Sequence, residues 1–510
     1  MKQYLGLDSS TQGLKAIIID GHGVIAEESV NFGKDLPEYH SPNGFLVHAD
    51  PRIIHADPLM WLDALDLLFS RMQEHGIRLD QICGISGSGQ QHGSIYLNAD
   101  SEKILGLLDP EKKLSQQIGA ALSRRTAPIW MDHSTQEECR ILTGKFGSRL
   151  QTETGSAATE RFTGPQIMKF ARQDPEQWAE TAHIHLVSSF ICSVLCGKNA
   201  PVDFGDGAGM NLLNLKTLQW DPEIVEFTAP GLAQKLPPAY KSGTVAGTLS
   251  PYFRKYGFAK NIPVIVWSGD NPCSLVGTGC SSVGTIGISL GTSDTLFAPM
   301  HEFRTDPAGC GHIFGNPVGG FMALICFANG SLAREKLRDK FNFSRDEWEN
   351  AIRGTKPASG KIMLPFFVPE CTPPVSNPRV CCNFDEAADP AETIRALLET
   401  QVLSMKHHSS WMDLKINKIR LTGGASRSAG LCQIIADIFQ AEIELAESTN
   451  AAGLGAAMSA AHAVEDIPFP ELSEIFCRSG KTILPNPGNA IGYDKQMSLF
   501  QEFLKKEKFS

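Results

Sequence analysis

No apolar run in this 510-residue chain reaches the roughly 18 residues that a membrane-spanning helix needs. LVSSFICSVLC and FMALICFA come nearest, and both read as buried core elements. A signal-peptide pattern is also missing, because MKQYLGLD passes straight into a strand-like alternation. The P-loop is absent: Gly480-Lys481-Thr482 supplies its tail, but Ile475 stands where the first glycine belongs. SGSGQQHG and GTGCSSVG carry glycines at the wrong steps for a dinucleotide fingerprint, which removes the support for a nicotinamide dehydrogenase. Zinc-ligand spacing is lacking among the 13 scattered cysteines, whose one tight cluster is Cys381-Cys382. They read as reduced structural thiols, and the expected location is cytoplasmic. There is no excess of positive charge either. A formal net charge of -10 and a pI near 5.8 argue against nucleic acid or a membrane as partner, while a local site for a small anion stays compatible.

What is present is an ordinary globular composition, 42% hydrophobic and 20% charged, in a chain too long for one core. Two large domains are expected. One long-range echo supports them. YLGLDSSTQGLKAIIID near the start and TIGISLGTSDTLFAP near the middle each run from an apolar stretch through a Gly/Ser/Thr-rich turn into a second apolar stretch. Both read as β-hairpins whose turns carry free backbone N–H groups and hydroxyls. Between them strand-like runs (QICGIS, AHIHLVSS) alternate with helical patterns, and KLPPAYKSGTVAGTLSPYF reads as the connection to the second half. There KIRL reads as a strand, TGGAS as a turn, and Leu431, Ile434, Ile435, Ile438 and Phe439 recur on one helical face. AEIEL is a further strand, and STNAAGLGAAMSAAHAV a small-residue helix suited to close packing. Alternating strands and helices give an α/β class.

Several short stretches carry possible chemistry, and each also has a structural reading. Successive N–H groups in Asp8-Ser9-Ser10-Thr11-Gln12 and Gly291-Thr292-Ser293-Asp294 would form concave anion sites, and Asp8 at its strand end could hold Mg²⁺; either hairpin alone is also an ordinary polar turn. TGGAS opens a helix whose N-terminus suits anions or an adenosine, or is simply a tight connection. Gln90-Gln91-His92-Gly93 offers amides and an imidazole to a polyol, and Glu160-Arg161-Phe162-Thr163-Gly164 a cation beside an aromatic. In VIVWSGDNP the acid Asp270 precedes Asn271 and Pro272, which read as a helix start. Asp270 is then either a helix cap or a general base at the end of a buried strand.

Taken together, LDSSTQ, SGSGQQHGSIY, ERFTGPQI, DFGDGAGMNLL, SGDNP, SLGTSDTLF, GHIFGNP, NGSLAREK and TGGAS resemble, in order and over nearly the whole chain, the FGGY carbohydrate kinases. The resemblance implies two ribonuclease-H-like, actin-like ATPase domains with a cleft between them. The sugar-binding domain would span 1–260 and the ATP-binding domain 261–510. It implies Asp270 as catalytic base, with Gln91, His92, Arg161 and Asn271 at the sugar. Asp8 would serve the metal. Ser10, Thr11, Gly291 and Thr292 would face the phosphates, with Trp348, Gly424, Ala425 and Ser428 at the adenosine. The implied partners are ATP with Mg²⁺ and a ketose, D-xylulose first; ribulose, another ketose or a polyol, or a non-catalytic sugar sensor, are the alternatives. Two departures stand out: Arg427-Ser428 follows TGGAS where the family branch has His-Asn, and Gln91 stands where many bacterial members have Met.

Overall fold

The computed structural model describes residues 2–446 and 450–509. Ser448 and Thr449, the opening of the expected small-residue helix, lie outside the described residues. The first echoed segment folds as the hairpin it reads as. It starts a sheet of β1 (Gln3–Ser9), β2 (Gly13–Ile19), β3 (Val24–Asn31), β4 (Ile82–Gly89), β5 (Val245–Thr248), β6 (Pro263–Ile265) and β7 (Ser268–Gly269). Their order is β5-β6-β4-β1-β2-β3, with β7 also paired to β4. The second echoed segment starts a sheet of β8 (Thr285–Leu290), β9 (Asp294–Met300), β10 (His312–Gly315), β11 (Phe321–Phe327), β12 (Lys418–Thr422), β13 (Glu442–Ala446) and β14 (Ser479–Ile483), ordered β10-β11-β9-β8-β12-β13-β14.

The two sheets repeat one topology. In the first, β1, β2 and β3 form an antiparallel meander, and β4 then β6 add in parallel beside β1. In the second, β8, β9 and β11 form the meander, and β12 then β13 add in parallel beside β8. Parallel pairing requires crossover connections, which helices supply.

The helices that position the site are α1 (Pro58–Glu74), α2 (Thr163–Gln173), α3 (Val187–Cys196), α4 (Asp270–Gly277), α5 (Ser331–Lys340), α6 (Arg345–Gly354), α7 (Pro390–His408), α8 (Ala429–Phe439) and α9 (Ala451–Glu465). The echo extends to them. The helix that returns from each meander to its parallel strand, α1 in the first half and α7 in the second, opens on Asp-Pro. The aspartate side chain (Asp57, Asp389) caps the free N–H groups and the proline occupies the first turn. The five apolar residues predicted to share a face of α8 are all buried.

Three expectations change. KLPPAYKSGTVAGTLSPYF is no mere connection, because its Val245–Thr248 is the edge strand β5, held antiparallel to β6. The first sheet also runs past the expected boundary at 260, since β6 and β7 pair with β4. AHIHLVSS is strand only to Leu186, after which α3 begins.

The halves join through a helix pair. α9, from the second half of the chain, packs its Leu454, Ala457, Met458 and Ala461 against Tyr4, Ile17 and Ile19 of the first sheet. It also crosses α4 at backbone contact. A Cβ on Gly277 would stand 1.9 Å from the Ala451 carbonyl oxygen, and one on Gly455 1.9 Å from that of Cys273. Only glycine permits this approach, and it locks the orientation of α4, whose first residue is Asp270.

Candidate active site

The buried run VIVW brings the chain to β7, and Gly269, in extended backbone, occupies the N-cap position of α4. Asp270 is therefore the first helical residue and not the cap. Its Oδ1 accepts from the Asn271 backbone N–H at 2.9 Å and from Asn271 Nδ2 at 3.1 Å. Asn271 Nδ2 also lies 2.8 Å from Gln91 Oε1, so the three side chains form one network. Asp270 itself is partly buried, next to the buried Ser268 and Gly269 of β7. That burial, reinforced by the charge of Asp8, pushes its carboxyl up to about 7, against the pull of the Asn271 N–H. Asp8, the penultimate residue of β1, is buried; Ser88 Oγ donates to its Oδ1 at 2.6 Å. Burial raises the Asp8 carboxyl, with Ser88 and Lys15 offsetting part of the rise.

The expected sugar residues gather on the side of Gln91. His92 takes a left-handed backbone (φ 71°), uncommon for a residue with a side chain, where β4 ends and the chain turns. Its carbonyl accepts from Thr163 Oγ1 at 3.0 Å, its Nδ1 lies 2.9 Å from the Gly209 carbonyl, and its ring stacks on Phe162 at 4.2 Å. Burial, then the neighbouring Arg161 charge, hold His92 neutral. Arg161 Nη2 meets His312 Nε2 at 3.3 Å.

The second half supplies a separate cleft of about 530 Å³, within the usual range for small-molecule sites. Gly291, Thr292, Trp348, Gly424, Ala425 and Ser428 all line it. Trp348 comes from α6 and is largely buried; Gly424 and Ala425 follow β12. Gly423, at φ 89°, brings its backbone against β8: a Cβ would stand 2.4 Å from the Leu290 carbonyl oxygen. Beneath the cleft, Asp294 takes two 2.8 Å bonds from Arg334, both buried. The Ser428 hydroxyl is committed to capping α8, accepting from Leu431 N–H at 3.2 Å.

The first hairpin departs from the expected anion cradle. The Ser10 N–H and hydroxyl both bond the Gly13 carbonyl, closing the turn on itself. Thr11 Oγ1 accepts from Trp130 Nε1 at 2.8 Å. Neither hydroxyl is free. Among the described residues no group of three or more His, Cys, Asp or Glu side chains is placed to hold a metal by itself.

The sequence reading named neither Trp130, His312 nor Asp206 as a site residue. Asp206 lies in DFGDGAGMNLL, fully buried, with Ser188 Oγ at 2.5 Å from Oδ2; burial, with Asp203 and Asp270 nearby, raises its carboxyl well above the ordinary range. His312 lies in GHIFGNP. Both stretches contributed to the family resemblance, yet no local spacing separates these residues from turn and strand positions.

Two sheets of one topology, joined by crossed helices, define a duplicated ribonuclease-H-like, actin-like fold. Residues 115–277 match the FGGY family of carbohydrate kinases, N-terminal domain, and residues 286–464 its C-terminal domain. Xylulose kinase of Rattus norvegicus is 37% identical, with 98% of this chain and 96% of that protein covered. Xylulose kinase 2 of Arabidopsis thaliana is also 37% identical, with 90% and 87% covered. The crystal structure of xylulose kinase from Rhodospirillum rubrum superposes with a TM-score of 0.84 at 20% identity, covering 99% of each chain. The chain belongs to the FGGY family of carbohydrate kinases.

Proposed function

We propose that the protein transfers the γ-phosphoryl group of ATP to the terminal hydroxyl of D-xylulose, giving D-xylulose 5-phosphate and ADP. The observation that carries this reading is Asp270: its carboxyl, raised to about 7, is bonded through Asn271 to Gln91 on one side and feels the charge of Asp8 on the other. A group of that basicity suits general-base work near neutral pH. The choice of sugar is supported by relatives named xylulose kinase over nearly the full chain.

In this mechanism His92, Arg161, Gln91 and Asn271 orient the ketose. Asp270 takes the hydroxyl proton as that oxygen bonds to the γ-phosphorus and the bond to the β-phosphate oxygen breaks. Gly291 and Thr292 face the phosphates, while Trp348, Gly424 and Ala425 hold the adenosine. Mg²⁺ commonly uses one or two carboxylates together with the substrate's phosphates, and Asp8, with one oxygen committed to Ser88, fits such a site. When bound, Mg²⁺ neutralises charge on the triphosphate. Little covalent work falls to the protein, so positioning and charge stabilisation supply the rate. The absence of a membrane-length apolar helix among the described residues and the neutral-to-acidic charge fit a cytoplasmic enzyme of small molecules.

The test is ADP release across D-xylulose, D-ribulose, other ketoses, aldoses and polyols. A D-xylulose-dependent signal is expected. A higher kcat/KM for another sugar moves the substrate, and silence with every sugar overturns the enzyme reading.

A further inference from the structure

Arg161 is a cation without an acid. Its neighbour Glu160 faces His133, at 3.4 Å, and among the described residues Arg161 forms no ion pair. Its one hydrogen bond runs to His312 Nε2, and its guanidinium lies 5.8 Å from the Phe162 ring centre. Guanidinium groups only donate, so Nε2 must accept. The His312 proton then sits on Nδ1, which donates to Ser156 Oγ at 3.1 Å. This tautomer is held on both sides, and burial beside Arg161 keeps the ring neutral. The fold fixes it further: His312 starts β10, an edge strand of the second sheet, while Ser156 and Arg161 belong to the first half. The next residue, Ile313, donates its N–H to the Gly155 carbonyl at 3.0 Å, setting the ring in register with Ser156.

We propose that His312 is a positioning residue for sugar binding: as a neutral Nδ1–H imidazole docked from the second half, it aims the Arg161 guanidinium without neutralising it. A carboxylate there would orient Arg161 equally well but would compete for its donors and cancel its charge. The imidazole uses one donor and leaves the others for the ketose oxygens. This rests on the reading of Arg161 as a sugar ligand.

The test is steady-state kinetics with D-xylulose and ATP for wild type, His312→Leu, His312→Gln and Arg161→Ala. His312→Leu keeps bulk but cannot accept; the expected result is a ketose KM raised about tenfold, with ATP KM unchanged and kcat altered far less. His312→Gln places Oε1 near the lost Nε2 and should restore most of the ketose affinity. A wild-type ketose KM in His312→Leu, or equal damage in His312→Gln, overturns the proposal. Arg161→Ala separates the two levels. If it raises ketose KM while His312→Leu does not, the positioning role alone fails; if Arg161→Ala leaves ketose KM unchanged, the sugar-ligand reading fails and the positioning role with it.

Discussion

Asp270 meets two opposed demands. The N-terminus of α4 favours its anion, while burial and Asp8 favour the proton, and the second pair prevails. Below about 7 the base is protonated, so kcat/KM for the ketose should fall about tenfold per pH unit there and level off above it. A flat profile between pH 5 and 8 would remove Asp270 from the base role. The same shift has a stability consequence. The folded carboxyl keeps its proton up to about 7, while the unfolded one releases it near its ordinary value; Asp270 therefore costs stability as pH rises between the two. Asp270→Asn should accordingly gain Tm over wild type, and gain more at pH 8 than at pH 5; an equal change at both contradicts the shift. At this scale the sequence disclosed the acid and its Asn-Pro neighbours but not its environment. The same limit explains Ser10: its residue type suits an anion cradle, and only the closed turn onto Gly13 reveals that its donors are spent.

The elements that aim these residues were legible where the pattern is local. The hairpins β1–β2 and β8–β9 and the apolar face of α8 follow from alternation and helical spacing. Long-range placements were not. Nothing local in KLPPAYKSGTVAGTLSPYF says that Val245–Thr248 will edge the first sheet, and nothing in GHIFGNP says that His312 will face Arg161. The glycines of α4 and α9 fall between these cases: a small-residue helix predicts close packing, but not its partner. Their crossing leads to a prediction. Gly455→Ala drives a methyl into the Cys273 carbonyl and must push α4 away, so it should cost about 1–3 kcal/mol in urea unfolding and lower kcat by misplacing Asp270. Wild-type stability and turnover in this variant would show that the crossing does not set the base.

In the whole molecule the proposed function has the duplicated sheets divide the work, with the ketose held mainly by the first half and ATP in the cleft of the second. That there are two halves was legible because both open with the same device; how they interlock was not, because α9 crosses back to the first sheet and His312 of β10 reaches Arg161 of the first half. If the division holds, Trp348→Ala should raise ATP KM about tenfold through lost ring contact while leaving ketose KM within about twofold; a matching rise in ketose KM would mean that the two sites are not separate. In the proposed function, Asp270 is where the two halves act together. The most direct test is turnover of D-xylulose by Asp270→Asn, with ketose binding measured by calorimetry on the same sample. The substitution keeps shape and hydrogen bonding but removes basicity. The account predicts that binding persists while turnover falls by at least about a hundredfold. Turnover within a few-fold of wild type would contradict it.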